Sequence, residues 1–497
     1  MAKILKKGSI TIFLALILSL ILSLVCASIE SVRMAAARTQ ILNSMDIGLY
    51  SLFGQYDRTL LKDYDLFALY AGGKEELDMA SVYDNFQSYM KPVLKQNSQK
   101  LNLLQGGLNG YQLLTDGNGE VFYQQAVKNM RETLGSQGVQ ILLGKLRDQQ
   151  KKTDEAEKKG QQAENGGLLK SYDSEIADAA KKSEEAEKEQ QNQIDSGEFG
   201  DGGSVDDFTG GVNTEVENPI PVIRKVRKMG LLDIVIPTEK GISDAFVNKK
   251  ELASGRKLQT GMEMNTNLQY DNSYTSGILF GQYLLSKLGN YTRPASSGLR
   301  YQVEYILGGK NSDRENLKSV ATKLLLIRQG VNMAYLVSDG GKRIQIEALS
   351  LAVASSFLIP PAAVVIEAAL MFCWAFAESI LDVRELFAGG HVPLVKTAAG
   401  WQLSLKNLSG ILNSLDSERK DSRGGMSYED YLQVMLMAKG KQQKVTRGMD
   451  MIECTIRDKG NRPKFRMDHC IVALEASADV KANKKKTFTV IRQYAYE

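Results

Sequence analysis

Residues suited to chemistry are few in this 497-residue chain, which holds two histidines, His391 and His469, and four cysteines. A zinc site built on a histidine pair along one helix is therefore excluded, and no run of Cys and His has zinc-ligand spacing. His469 stands beside Cys470, with Cys454 upstream. If this part of the chain is exported, Cys454 and Cys470 could close a loop of about 15 residues, a bridge worth roughly 3 kcal/mol in the chain-entropy account. The other reading is two separate buried thiols. Cys26 and Cys373 lie in apolar runs, where a thiol behaves as a small hydrophobe.

Other motifs are fragments. Gly308-Gly309-Lys310 lacks the first glycine of a phosphate loop, and no G-x-S-x-G elbow occurs. Asp116-Gly117-Asn118-Gly119-Glu120 has the alternating carboxylates of half a calcium loop without its later Gly and Glu, and reads as a turn opening a helix over 121–134. Glu367 and Glu378 sit in apolar helices, where burial against Arg384 or Lys342 is expected; structural ion pairs shift pKa values as active sites do. The chain reads as no enzyme, with no metal and no cofactor.

The element that must position everything else comes first. Ser9 to Ile29 is uncharged and free of proline, and as a helix it would be roughly 30 Å long, the thickness of a bilayer's hydrocarbon core. Lys3, Lys6 and Lys7 precede it, which favours a cytosolic N-terminus and an exported remainder. Three fates compete. Val25-Cys26-Ala27 or Cys26-Ala27-Ser28 would serve for signal-peptide cleavage, Cys26 could be a lipoprotein cysteine, or the segment is a retained anchor. The third gains from Ile41, Met45, Leu49, Leu52 and Tyr56, an apolar stripe at helical spacing that predicts an unbroken helix past the membrane.

Composition divides the rest. A tip (1–8), a membrane helix (9–29), a stem continuation and turn (30–70) and a helical region (71–144) precede a charged, Gly-rich linker (145–218), and a C-terminal α+β domain occupies 219–497. In the linker, charge alternates without a heptad seam, and the acidic glycine-rich part from Asp195 to Gly211 cannot bury enough surface to order itself. Strands are expected at Leu231–Pro237 and Leu299–Leu307, a capping box at Ser312, a helix capped from Ser427, and a C-terminal hairpin from Cys470–Val480 and Thr487–Tyr496. Ile344 to Ala377, cut by Pro360-Pro361, reads as two core helices meeting at a corner, because neither piece reaches spanning length. The fold class is α+β, predominantly helical, with a small C-terminal sheet. Net charge of +4 and the absence of a basic, aromatic-laced helix give no reason to expect nucleic acid.

Lys6-Lys7-Gly8-Ser9 followed by an apolar segment resembles the start of TadE/TadG-type proteins of tight-adherence pili. Tyr56 to Leu69, Glu304 to Lys310, Val392 to Lys396 before Trp401, and Ser427 to Leu432 are similar to a Gram-positive family of unknown function met beside tight-adherence pilus loci. The resemblance implies a processing site at Gly8 and Ser9, and a pseudopilin-like structural or assembly component whose partners are the membrane and other pilus or secretion subunits. It implies no chemistry. Phe13 departs from the pattern, since pilins carry a glutamate there. The alternative is an anchored, extracytoplasmic ligand-binding or sensing module, its small-molecule ligand unknown, with apolar helices lining a pocket.

Overall fold

The computed structural model describes residues 4–73, 76–96, 100–195, 217–262, 264, 271–357, 359–415, 424–460, 462–482 and 486–496; for 4–9, 183, 184 and 186–195 only the helical backbone is described. The helices are α1 (Ile4–Phe53), α2 (Arg58–Tyr64), α3 (Met79–Lys95), α4 (Asp116–Asn165), α5 (Leu168–Asp195), α6 (Ile220–Lys228), α7 (Leu231–Val235), α8 (Tyr274–Lys287), α9 (Gln302–Gly308), α10 (Asp313–Ser338), α11 (Gly340–Ser356), α12 (Ala363–Ala388), α13 (Tyr428–Ala438) and α14 (Lys441–Lys459). The strands are β1 (Leu69–Tyr70), β2 (Leu101–Leu113), β3 (Cys470–Ala482) and β4 (Lys486–Ala495). The fold is α+β and mostly helical, as its apolar periodicity predicts. The chain divides into two compact units, one of Met1–Glu132, Lys249–Ser273 and Gly448–Glu497, the other of Thr133–Asn248 and Tyr274–Arg447.

In the first unit the stripe on α1 finds its partner. Ala37, Ile41, Met45, Leu49, Leu52 and Phe53 are buried in one cluster with Val82, Phe86, Met90 and Leu94 of α3 and with Leu474, Ala476, Ala478, Val480 and Ala482 of β3. The α1 and α3 residues recur every three or four positions and the β3 residues every two, so two helix faces close on one sheet face. Each large apolar side chain so buried contributes roughly 1.5–3 kcal/mol. β3 is the central strand, antiparallel to β2 along one side and to β1 and β4 along the other. The Tyr496 hydroxyl donates to the Phe53 carbonyl at 2.5 Å, tying the strand end to the last residue of α1.

In the second unit α12 is the core. Its side chains from Ala369 to Phe387 are buried with few breaks, and α10 and α11 pack on it. α11 and α12 meet through a tight turn at Pro360–Ala362, the expected proline corner. α4 and α10 cross at glycines: a Cβ on Gly160 would lie 2.0 Å from the Leu326 carbonyl oxygen, and one on Gly330 would lie 1.8 Å from that of Ala156. Ser312 accepts from the Glu315 N–H, and Ser427 with Asp430 forms a complete capping box.

Several expectations need correction. Leu231–Pro237 forms not a strand but the short helix α7, since a brief apolar run fits either state and Gly230 accepts the first helical N–H, that of Asp233. Leu299–Leu307 ends in α9, because Gln302 and Glu304, the polar positions of the apparent alternation, are themselves buried and accept backbone N–H groups. The region 71–144, expected to be helical, contains the strand β2, in which a Cβ on Gly106 would meet the Ser477 carbonyl oxygen at 2.7 Å. The turn at 116–120 exists as left-handed backbone at Gly117, Asn118 and Gly119, and the helix it opens runs on to Asn165 rather than stopping near 134. The proposed linker from 145 is helical to Asp195 and buries Leu146, Thr153, Ala156, Tyr172 and Ala179, so it belongs to the second unit and no boundary falls there. Its acidic, Gly-rich portion at 196–211, like Lys484 and Lys485 of the hairpin loop, lies outside the described residues.

The glycine crossing is testable. Gly330→Val should lower the stability of the second unit by about 1–3 kcal/mol through overpacking, read as a lower urea midpoint in tryptophan fluorescence. Both tryptophans, Trp374 and Trp401, belong to that unit.

Candidate functional site: buried ion networks and a bare apolar helix

The second unit carries a closed network of buried charge. Arg328 on α10, wholly buried, donates from Nε and Nη2 to Asp382 Oδ2 at 3.0 and 2.9 Å, and from Nη1 to the Pro393 carbonyl at 2.8 Å and the Tyr431 hydroxyl at 3.1 Å. Lys396 donates to Asp382 Oδ1 at 2.7 Å and to Glu378 Oε1 at 2.6 Å. Glu378 and Asp382 stand four residues apart on α12 and so face the same way. Glu378 also accepts the backbone N–H groups of Gln402 and Leu403, both at 2.9 Å. Asn332 donates to Asp382 Oδ2 and to the Ser379 hydroxyl, both at 3.0 Å. Burial pushes Asp382 upward, but Arg328 and Lys396 outweigh it and hold the carboxyl below its usual range. Glu378 is raised by burial, opposed by Lys396 and reinforced by Asp382 nearby.

Two cations and two carboxylates satisfy each other, so the network fixes three elements and the Pro393–Leu403 segment in one arrangement. Beside it Lys342 lies over the rings of Trp374 and Trp401 at 4.5 and 4.7 Å, and both indole N–H groups donate to the Leu403 carbonyl.

A second network surrounds Glu304. Its Oε1 accepts the Tyr428 hydroxyl and the Tyr291 N–H, both at 2.7 Å, while Oε2 has no hydrogen-bond partner among the described residues. Burial raises this carboxyl to about 7, only partly opposed by those two donors.

In the first unit Arg256 spans Glu453, at 2.8 and 2.6 Å, and Asp468, at 2.6 Å; Glu453 also accepts from Arg457 at 3.1 Å and from the Met467 N–H at 2.8 Å. His469 is buried with both ring nitrogens lacking a partner among the described residues, and burial lowers its pKa. Cys454 and Cys470 are separate thiols, which corrects the possible disulfide. Cys470 is buried at the head of β3 with its Sγ 3.7 Å from the Arg466 carbonyl oxygen, and burial pushes its pKa well up, which disfavours the reactive thiolate.

The remaining candidate is α1. Ile12, Leu14, Leu18, Leu20 and Leu24 are each more than 60 % exposed, and the Ser19, Ser23 and Ser28 hydroxyls donate to carbonyls three or four residues back at 2.9 Å, so the segment presents almost no unsatisfied polar group. Among the described residues, two helical stretches are long and apolar enough to cross a membrane. Ile10–Phe53 has none of its most apolar window buried, whereas Pro360–Ala388 has 72 % buried and is a core helix. A signal sequence at this position would pass the same length and composition test. Gly8 and Ser9 fall in the first turns of α1, and their side chains are outside the described ones.

Sequence reasoning found Glu378 but missed its ion-pair partner, Lys396. Arg384 is spent on the Ile234 and Ile236 carbonyls, while Lys342 lies over the indoles and is near enough to Glu378 to feel its charge. It missed Arg328, Asp382 and Lys396. The available signal was a second carboxylate one turn beyond Glu378 inside an apolar helix, which cannot be buried without cations.

The fold and these sites define a mostly helical α+β protein with an N-terminal apolar helix of membrane-spanning length. The chain belongs to a family of unknown function, DUF5702, which matches residues 210–482. Glu304, Lys396, Trp401, Tyr428 and Tyr431, all within that span, are members of the two buried networks of the second unit or stack beside them. No curated protein and no solved structure matches the chain.

Two outcomes follow. Asp382→Ala strands Arg328 and Lys396 as buried, uncompensated cations and should cost about 3–5 kcal/mol, seen as a collapse of the urea midpoint. Glu304 titrates near 4.5 when unfolded and about 7 when folded. Between those values the folded chain keeps a proton that the unfolded chain has lost, so this group's contribution to stability falls as pH rises through the window and stays low above it. Glu304→Gln should therefore raise stability at pH 8, by on the order of 3 kcal/mol at most, and change it little near pH 4.5; comparing urea midpoints at the two pH values checks the sign.

Proposed function

We propose that the protein is a membrane-anchored, exported structural component of the cell envelope, pseudopilin-like, serving the assembly of a tight-adherence pilus or a related secretion system. One observation carries the reading: α1 runs without a break from its bare apolar half to Phe53, and its second half is seated in the core of the first unit. Such a helix transmits position from a bilayer to a folded body, with no hinge between them. The lysines before Gly8 favour a cytosolic N-terminus, a single span, and an extracellular bulk. The ion network around Asp382, in which Arg328 and Lys396 are matched by Asp382 and Glu378, supports a scaffold role for the second unit. Its partners in this reading are the membrane and other pilus or secretion subunits.

Leu18→Arg places a charge mid-span, at a cost of roughly 3 kcal/mol or more, and should move the protein out of the membrane fraction; unchanged fractionation would reject α1 as the anchor. Processing at Gly8 predicts a mature N-terminus at Ser9, and Gly8→Leu should yield a heavier N-terminal peptide by mass spectrometry. Identical termini in both forms would remove the pseudopilin part of the reading and leave an anchored or secreted protein.

A further inference from the structure

The second unit contains a cavity of about 280 Å³ that none of the ion networks uses. Met229, Leu231, Ile234, Leu325, Leu326 and Phe376 make its wall apolar. Gln329 lies in the same lining, 1 % exposed, and its Nε2 has no hydrogen-bond partner among the described residues. Thr322, whose hydroxyl donates to the Lys318 carbonyl, also lines the cavity, and Arg227 and Glu164 stand in the lining as an ion pair whose side chains are 26 % and 37 % exposed. Arg227 also lies over the rings of Phe372 and Phe376 at 5.0 and 5.6 Å, which holds the guanidinium in place.

These groups specify a ligand. A buried amide donor left unmade is costly, so the site gains from an acceptor oxygen. A cation and an anion side by side at a partly open edge match a molecule that carries both a carboxylate and an ammonium group. The apolar wall excludes a polar body, and the volume suits about ten heavy atoms, near the small end of ligand sites. We propose that this cavity binds an apolar α-amino acid of leucine to phenylalanine size as its zwitterion. The carboxylate faces Arg227 and accepts from Gln329 Nε2, the ammonium donates to Glu164, and the side chain packs on Leu231, Ile234 and Phe376. The site is independent of the assembly role and can fail without affecting it.

The test is calorimetric titration of the full-length protein in detergent with L-leucine and L-phenylalanine, then with 3-phenylpropionate, which lacks the ammonium, and phenethylamine, which lacks the carboxylate. Saturable one-site binding of the amino acids is expected, with each truncated analogue at least tenfold weaker. Gln329→Leu should weaken L-phenylalanine binding about tenfold, the loss of one hydrogen bond to a charged group. Met229 is 43 % exposed, so Met229→Trp can fill the mouth without disturbing the core and should abolish binding. Absence of saturable heat with either amino acid, equal affinity for the analogues, or binding intact in Met229→Trp would each overturn the proposal. The last variant decides the matter if Gln329→Leu does not fold.

Discussion

Removing Asp382 from water is the constraint on which the second unit turns. A carboxylate at 2 % exposure is tolerable only if cations reach it, and here they come from two directions: Arg328 from α10 and Lys396 from the segment after α12. Lys396 in turn needs Glu378, whose remaining acceptor capacity is taken by the Gln402 and Leu403 amides. Each requirement recruits the next, until a stretch with little regular structure between α12 and α13 is fixed. Networks of this kind contribute less to net stability than apolar replacements often would. What this one supplies is a single permitted arrangement of α10, α12 and the segment around Pro393.

The first unit solves a different problem. α1 has two apolar surfaces of different extent: all round in its first half, and a single stripe in its second. The stripe is satisfied by α3 and β3, with exposures near zero from Ala37 to Phe53. The first half has no protein partner among the described residues, and the serines within it bond back to their own helix. A helix polarised in this way has one end seated in protein and the other bare and apolar, consistent with a membrane anchor.

How much of this the sequence disclosed depended on whether a local pattern matched the global environment. α1, the proline corner, the Ser427 cap and the C-terminal hairpin were legible because their periodicity agrees with the face they bury. Elements failed where the pattern and the environment part. The alternation at Leu299–Leu307 suggested a half-buried strand, yet Gln302 and Glu304 are buried on a helix with backbone donors to satisfy them. β2 carries glycines because Ser477 and Tyr83 press on its backbone, a tertiary fact with no local trace. The charged run of α4 hid Gly160, whose missing side chain lets Leu326 of α10 approach. Arg328 and Lys396 are far apart in sequence and could be paired with Asp382 only by the fold. The cysteine pair was left open between a bridge and separate thiols for a simpler reason, since loop length bears on what a bridge would be worth and says nothing of whether the two sulfurs meet.

The order of strands in the first unit has a bearing on biosynthesis. β3, the middle of the sheet, is drawn from the C-terminal part of the chain, while the helix stripe that it covers is translated near the start. Until the ribosome reaches Cys470, Ile41, Met45 and Leu49 have no sheet to rest on, and the intervening chain must be synthesised first. A nascent polypeptide in that condition leaves those side chains without their sheet until synthesis is nearly complete. Truncation late in the gene would therefore cost the unit nearest the start of the chain its sheet, while sparing most of the one between.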